Sequence, residues 1–176
     1  MEVCKGRPAE RRGETEEAVY DFLEGLSIDF LRIDHAPART MEDCRAIDGM
    51  AGFPMCKNLF LANRQETEFY LLLMPPDQPV RTSEFSRAVG SSRLSFASAE
   101  RMGELLSLAP GAVSVMGLLF DKSRRVHLYL DRDLLTREGF GCHPAVNTAS
   151  IFFPTEELLS KVLPALGREL RTVELG

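Results

Sequence analysis

Three short stretches of the chain carry residue types that can do chemistry. The first is Cys56-Lys57-Asn58-Leu59-Phe60-Leu61, where a lysine opens an apolar, strand-like run. A cation held there against protein could bind a carbonyl, a ribose hydroxyl or a phosphate, or offset the charge of a developing oxyanion. The plainer account is a strand-end lysine laying its stem along apolar surface, and composition alone favours it. The second stretch is Pro110-Gly111-Ala112-Val113-Ser114. Its glycine lets the backbone approach a ligand and aim N–H groups at it. A simple turn between a helix and a strand explains the same residues. The third is Gly141-Cys142-His143-Pro144-Ala145-Val146-Asn147-Thr148. Here His143, Asn147 and Thr148 crowd into an irregular link beside apolar strands, a common setting for function. They could equally satisfy the backbone of their own loop.

The stronger signatures are missing. The chain has no phosphate-binding glycine loop, no dinucleotide fingerprint, no H-E-x-x-H and no G-x-S-x-G elbow. The three histidines, His35, His127 and His143, lack the spacing of a metal site, so neither a metal nor a cofactor is expected. Cys142 beside His143 is not a catalytic pair, because neighbours in an extended chain point to opposite faces. The four cysteines form no Cys-x-x-Cys pair. Cys44 and Cys56 read as small buried or half-buried hydrophobes and Cys4 as part of a mobile end. Arg81, Arg87, Arg93 and Arg101 recur around the middle of the chain; they could face RNA, but such a run is usually a solvated face.

The elements that must position these residues follow from periodicity. The 176 residues, 44% hydrophobic and 27% charged, suit one domain with its own core. Residues 1–13 read as a flexible tail, and 14–176 as the domain. Apolar spacing predicts a helix over 15–26, and Thr40-Met41-Glu42-Asp43 resembles a capping box opening a second. Strands are expected over 30–33, 56–62, 69–74, 94–97, 113–120, 126–130, 149–153 and 171–175. Residues 56–62 and 69–74 form a hairpin, and Leu71-Leu72-Leu73-Met74 lacks alternation, as in a strand covered on both faces. Thr82, Ser98 and Thr155 are placed as caps of three further helices, with Pro164 kinking the last or marking its last turn. The fold class is α/β of a mixed, α+β-like kind: a single domain with a mixed, largely antiparallel sheet surrounded by helices. A net charge of −5 and a pI near 5.3 argue against a protein coated in nucleic acid, without excluding contact with one end of an RNA. No stretch is long enough to cross a bilayer, and the N-terminus lacks the apolar core of a secretory signal, so a cytoplasmic protein is expected.

The three stretches, in this order and spacing, resemble the YbaK-like aminoacyl-tRNA editing domains. The likeness lies in Cys56-Lys57-Asn58-Leu59-Phe60-Leu61, in Gly111-Ala112-Val113-Ser114 followed by Gly117-Leu118 and Asp121, and in His143-Pro144-Ala145-Val146-Asn147-Thr148. It extends over roughly residues 15–175, and the lysine and histidine motifs are specific as a pair. The resemblance implies the fold of these editing domains and hydrolysis, by water, of the ester joining a mischarged amino acid to the terminal ribose of a tRNA. The freestanding prolyl type acts on alanine attached to proline tRNA. The resemblance places the catalytic role at Lys57. It places the substrate against Asn58, the loop Gly111, Ala112, Val113, Ser114 and Val115, and the motif residues His143, Asn147 and Thr148. The implied partners are the acceptor end of an aminoacylated tRNA and a prolyl-tRNA synthetase, with no DNA and no membrane. One position departs from the family pattern: Val115 stands where the loop usually has proline. Another substrate, such as cysteine on proline tRNA, and a non-catalytic tRNA- or synthetase-binding module remain as alternatives.

Overall fold

A computed structural model of the chain describes residues 1–38 and 40–175. It contains two sheets rather than the one expected. The first is antiparallel throughout, with order β1-β2-β8-β7. These strands are β1 (Val3–Lys5), β2 (Leu31–Asp34), β7 (Gly139–Cys142) and β8 (Ala149–Pro154). The second has order β5-β3-β4-β6-β9. It comprises β3 (Lys57–Asn63), β4 (Phe69–Met74), β5 (Leu94–Phe96), β6 (Val126–Asp131) and β9 (Thr172–Val173). The expected hairpin is β3–β4, in register from Lys57 opposite Met74 to Ala62 opposite Phe69. All six residues of β4 are buried, because β3 and β6 flank it and apolar clusters cover both its faces. The β4–β6 and β6–β9 pairs are parallel. The β4–β6 crossover passes through α3 (Thr82–Val89) and α4 (Ala99–Leu106), as parallel pairing demands.

Helix α1 (Glu14–Gly25) buries Val19, Tyr20 and Leu23, and its first turn carries Glu14, Glu16 and Glu17 at the positive end of the helix dipole. Helix α2 (Met41–Ala51) starts with the expected capping box: the Asp43 N–H donates to Thr40 Oγ1 at 3.1 Å and the Thr40 N–H to Asp43 Oδ2 at 3.0 Å. It ends at Gly52, which is left-handed at φ 89. Ser98 caps α4 as expected, and α4 buries Met102, Leu105 and Leu106.

Several expectations are corrected. The segment expected as a flexible tail includes β1, which pairs with β2, and its Arg7 and Arg12 clamp Glu17 and Asp34. Its alternation is too short to register as periodicity, so pairing and ion pairs order it. Residues 113–120 are not a strand. Ser114 accepts the Met116 N–H on its hydroxyl at 3.1 Å and starts a 3-10 helix over Val115–Leu119. The Gly139-Phe140-Gly141 link is strand β7, where glycine makes room: a Cβ on Gly141 would lie 2.6 Å from Phe152. Thr82 and Thr155 are first helical residues rather than caps. The last helical segment, here α5, comprises Thr155–Glu157, a π-helical turn Leu158–Val162, and Leu163–Ala165, so Pro164 stands in the last turn, as expected, and a π-helical turn precedes it.

The sheets meet where β3 begins and β7 ends. The Cys56 N–H donates to the Gly141 carbonyl at 3.0 Å, and Met55 packs its backbone near Gly141. This junction brings together the chemistry-bearing stretches.

Candidate functional site

A cavity of about 390 Å³ opens at this junction, within the range of small-ligand sites. Strand β3 supplies Lys57 and Asn58, the residues after β7 supply His143, β8 supplies Ser150, α2 forms a wall, and Gly111 and Val113 line it from their loop. The half-buried Lys57 donates from Nζ to the carbonyl of Gln78, in the turn after β4. Gln78 is tied in turn by its side-chain amide to Asp133 Oδ2 at 2.8 Å. A lysine at the opening position of a strand would otherwise sweep a wide volume; this contact fixes its head at the cavity.

The glycine loop is held from both sides. Asn58 Oδ1 accepts the Val115 N–H at 3.0 Å, while its amide reaches the Cys56 carbonyl at 3.3 Å and Sγ at 3.2 Å. Ser114, fully buried, donates its hydroxyl to the His143 carbonyl at 2.7 Å. Gly111 has φ 90, a conformation that favours glycine. The Asn147 amide lies 3.4 Å from where a Gly111 Cβ would be. The Gly111 and Val113 N–H groups find no acceptor among the described residues and remain free to donate.

The histidines are oriented by acceptors. His143 Nδ1 donates to the Ala149 carbonyl at 2.8 Å, which leaves Nε2 as the acceptor of the neutral ring. Burial pushes the His143 imidazole below its ordinary value, and His35, with ring centroids 6.1 Å apart, adds to the lowering; the Ala149 carbonyl opposes it. His35 donates from Nδ1 to Ala36 O and accepts the Ser150 hydroxyl on Nε2, each at 2.8 Å. The nearby thiols are kept protonated. Burial raises Cys56 well above the ordinary range, pushes Cys142 up to about 12, and raises Cys44, where Asp48 and Asp43 add to the effect. A thiolate nucleophile therefore does not fit here.

Of the residues singled out from sequence, Lys57, Asn58, Gly111, Val113 and His143 line the cavity. Asn147 adjoins Gly111. Ala112 is buried in its turn, and Ser114 acts behind the wall. The Val115 side chain is fully buried in the core, so at this position only the backbone serves the loop. Thr148 is exposed and offers its carbonyl to the His35 N–H at 2.9 Å. Sequence reasoning missed His35, Gln78 and the α2 residues Cys44, Arg45, Ile47 and Asp48. The capping box at Thr40 located α2, but its weak amphipathicity does not reveal which face covers a cavity.

This arrangement holds a cation, loop N–H groups without an acceptor among the described residues, and a neutral imidazole around one small cavity. Residues 35–161 match the aminoacyl-tRNA editing domain model, and the chain belongs to that family. It is 33% identical over 162 residues to the prolyl-tRNA editing protein ProX of Acetoanaerobium sticklandii, covering 92% of this chain and 98% of that one. It is 24% identical over 152 residues to a prolyl-tRNA synthetase associated domain-containing protein of Xenopus laevis, covering 84% and 90%. Among solved structures, a candidate trans-editing enzyme for prolyl-tRNA synthetase has the same fold, with a TM-score of 0.69 at 21% identity, covering 94% of this chain and 100% of that one. No helix among the described residues is long and apolar enough to cross a membrane.

Proposed function

We propose that the protein is a trans-editing deacylase that hydrolyses alanine wrongly esterified to proline tRNA. The observation that carries this reading is the Lys57 ammonium, fixed by the Gln78 carbonyl in a cavity it shares with the glycine loop and His143. Support for the prolyl system comes from the relative named as a prolyl-tRNA editing protein.

An aminoacyl ester is already activated, so positioning and charge stabilisation suffice. Water adds to the ester carbonyl, and the oxygen becomes an alkoxide. Lys57 and the free N–H groups of Gly111 and Val113 offset that charge. Collapse of the intermediate expels the ribose oxygen, which takes a proton, and frees the amino acid. The neutral His143 Nε2 can accept a hydrogen bond from the attacking water or from the substrate. The walls are narrowed by Ile47, Met55 and Val113, which suits a small side chain. A second, smaller sieve is needed because a synthetase pocket separates small apolar residues only about 10–200-fold per methylene.

The test is the loss of ester from alanyl-tRNA(Pro) and prolyl-tRNA(Pro) with time. Rapid release of alanine, retention of proline, and loss of activity in a folded Lys57→Ala variant are expected. Release at the spontaneous rate for alanine rejects the alanine assignment, and a panel of other aminoacyl-tRNAs, cysteinyl-tRNA(Pro) first, then separates another deacylase from a binding module.

A further inference from the structure

Helix α2 contributes one anion to the cavity wall. Asp48 is the only carboxylate among the described residues that line it. One of its oxygens, Oδ1, accepts the Met55 N–H at 3.0 Å. Among the described residues the other has no protein donor, and no lysine, arginine or histidine pairs with Asp48. Its neighbours on α2 at the cavity are Cys44, Arg45 and Ile47: a half-buried thiol, an exposed guanidinium that makes no ion pair with Asp48, and a buried alkyl group. A half-buried carboxylate without a cation partner among the described residues, facing a cavity that already holds a fixed lysine at Lys57, is an arrangement that folding alone does not need: a neutral acceptor would hold Met55 as well.

An aminoacyl ester carries its own cation, a primary ammonium on the carbon next to the ester carbonyl. We propose that Asp48 recognises this α-ammonium through its free oxygen, while Lys57 and the Gly111 and Val113 N–H groups serve the ester and ribose. The assignment rests on the deacylase reading. Burial raises the Asp48 carboxyl above its ordinary value, a penalty on the charged form that an incoming ammonium offsets. The contact makes the site selective for esters with a free amine. Esters whose nitrogen is acylated, as in a peptidyl ester, lack the cation and bring added bulk to the Asp48 wall, so the site passes over them.

The test uses two stable adenosine conjugates, each joined through a 3′-amide: one carries alanine, the other lactate, whose hydroxyl replaces the ammonium. Binding is measured by calorimetry on the intact protein and on Asp48→Asn, which keeps the Oδ1 acceptor for Met55 and removes the charge. The intact protein is expected to prefer the alanyl conjugate by on the order of tenfold, the scale of a charge-assisted hydrogen bond. Asp48→Asn should erase the preference by weakening only the alanyl conjugate. Absence of the preference in the intact protein overturns the proposal. So does an equal loss for both conjugates in Asp48→Asn, which is the signature of a structural or proton-transferring role. Hydrolysis of alanyl-tRNA(Pro) is followed in parallel. Failure to hydrolyse this substrate and the wider aminoacyl-tRNA panel with the preference intact rejects the deacylase reading and leaves Asp48 assigned, whereas hydrolysis without the preference does the reverse.

Discussion

The hydrogen bond from Val115 N–H to Asn58 is the joint between the lysine-bearing strand and the glycine loop, and it can be measured. Asn58→Ala leaves the N–H of a fully buried residue without its acceptor, a loss of about 1–3 kcal/mol. Part of that loss comes from the other Asn58 contacts, to the Cys56 carbonyl and Sγ. Val115→Pro isolates the joint, because it removes the donor. The backbone is prepared for proline: Ser114 sits at φ −157 and ψ 150, the extended conformation a residue before proline prefers. Val115 opens a 3-10 helix, where proline suits the first position. Val115→Pro therefore costs about 1 kcal/mol, mostly the Asn58 oxygen left unpaired and a small change of packing. Once the donor is gone, Asn58→Ala no longer strands it. The double variant should lie closer to the wild type than the sum of the singles by about 1 kcal/mol. Urea unfolding of the four proteins reads this directly, and deacylation of alanyl-tRNA(Pro) by the same set reports on the loop. Additivity within about 0.3 kcal/mol would show that the joint carries no energy, and the account of how β3 aims the loop would fall.

Two further outcomes follow from the structure. His143 titrates near 6.5 in the unfolded chain and lower in the folded one. Between those values the unfolded state binds more protons, so stability falls as pH falls through that window. His143→Gln should flatten this slope between pH 7.5 and 5.5 in urea-midpoint measurements, and an unchanged slope would assign the effect elsewhere. Gly141→Ala would bring a Cβ to 2.6 Å from Phe152 and 3.2 Å from the Met55 backbone. Overpacking at this seam should cost about 1–3 kcal/mol and lower deacylase activity along with the melting temperature, and a variant with full stability refutes the close fit.

Much of the fold was legible where burial leaves a regular trace. The β3–β4 hairpin, the doubly covered Leu71-Leu72-Leu73-Met74 and the alternation of β6 follow from periodicities that packing imposes on both faces or on one. The capping box at Thr40 and the cap at Ser98 were readable because their side chains satisfy local backbone donors. What escaped is decided by distant partners. Strand β1 exists because β2 offers it an edge and because Arg7 reaches Glu17, Asp21 and Glu24 on α1. The short β7 has two glycines in four residues, which reads as a loop until Phe53 and Phe152 occupy the space that side chains would need. The apolar run after Ser114 has the content of a strand, but a side chain accepting one backbone N–H bends it into a 3-10 turn.

The site divides along the same line. Motifs brought Lys57, the glycine loop and His143 to attention because each is local in sequence. Their supporting contacts are not local: Gln78 holds Lys57 from 21 residues away, Asn58 holds Val115 from 57, and Ser114 holds the residue-143 carbonyl from 29. Asn58 and Ser114 lie inside the motifs, but nothing in their type or spacing marks which distant group each will hold, and nothing marks Gln78 at all. All three contacts converge where the start of β3 meets the end of β7, so the arrangement needs both sheets to be in place before any of its groups is aimed. A substitution that loosens the seam should therefore affect the lysine, the loop and the histidine together. One that removes Lys57 alone should leave the seam, and the stability that depends on it, intact.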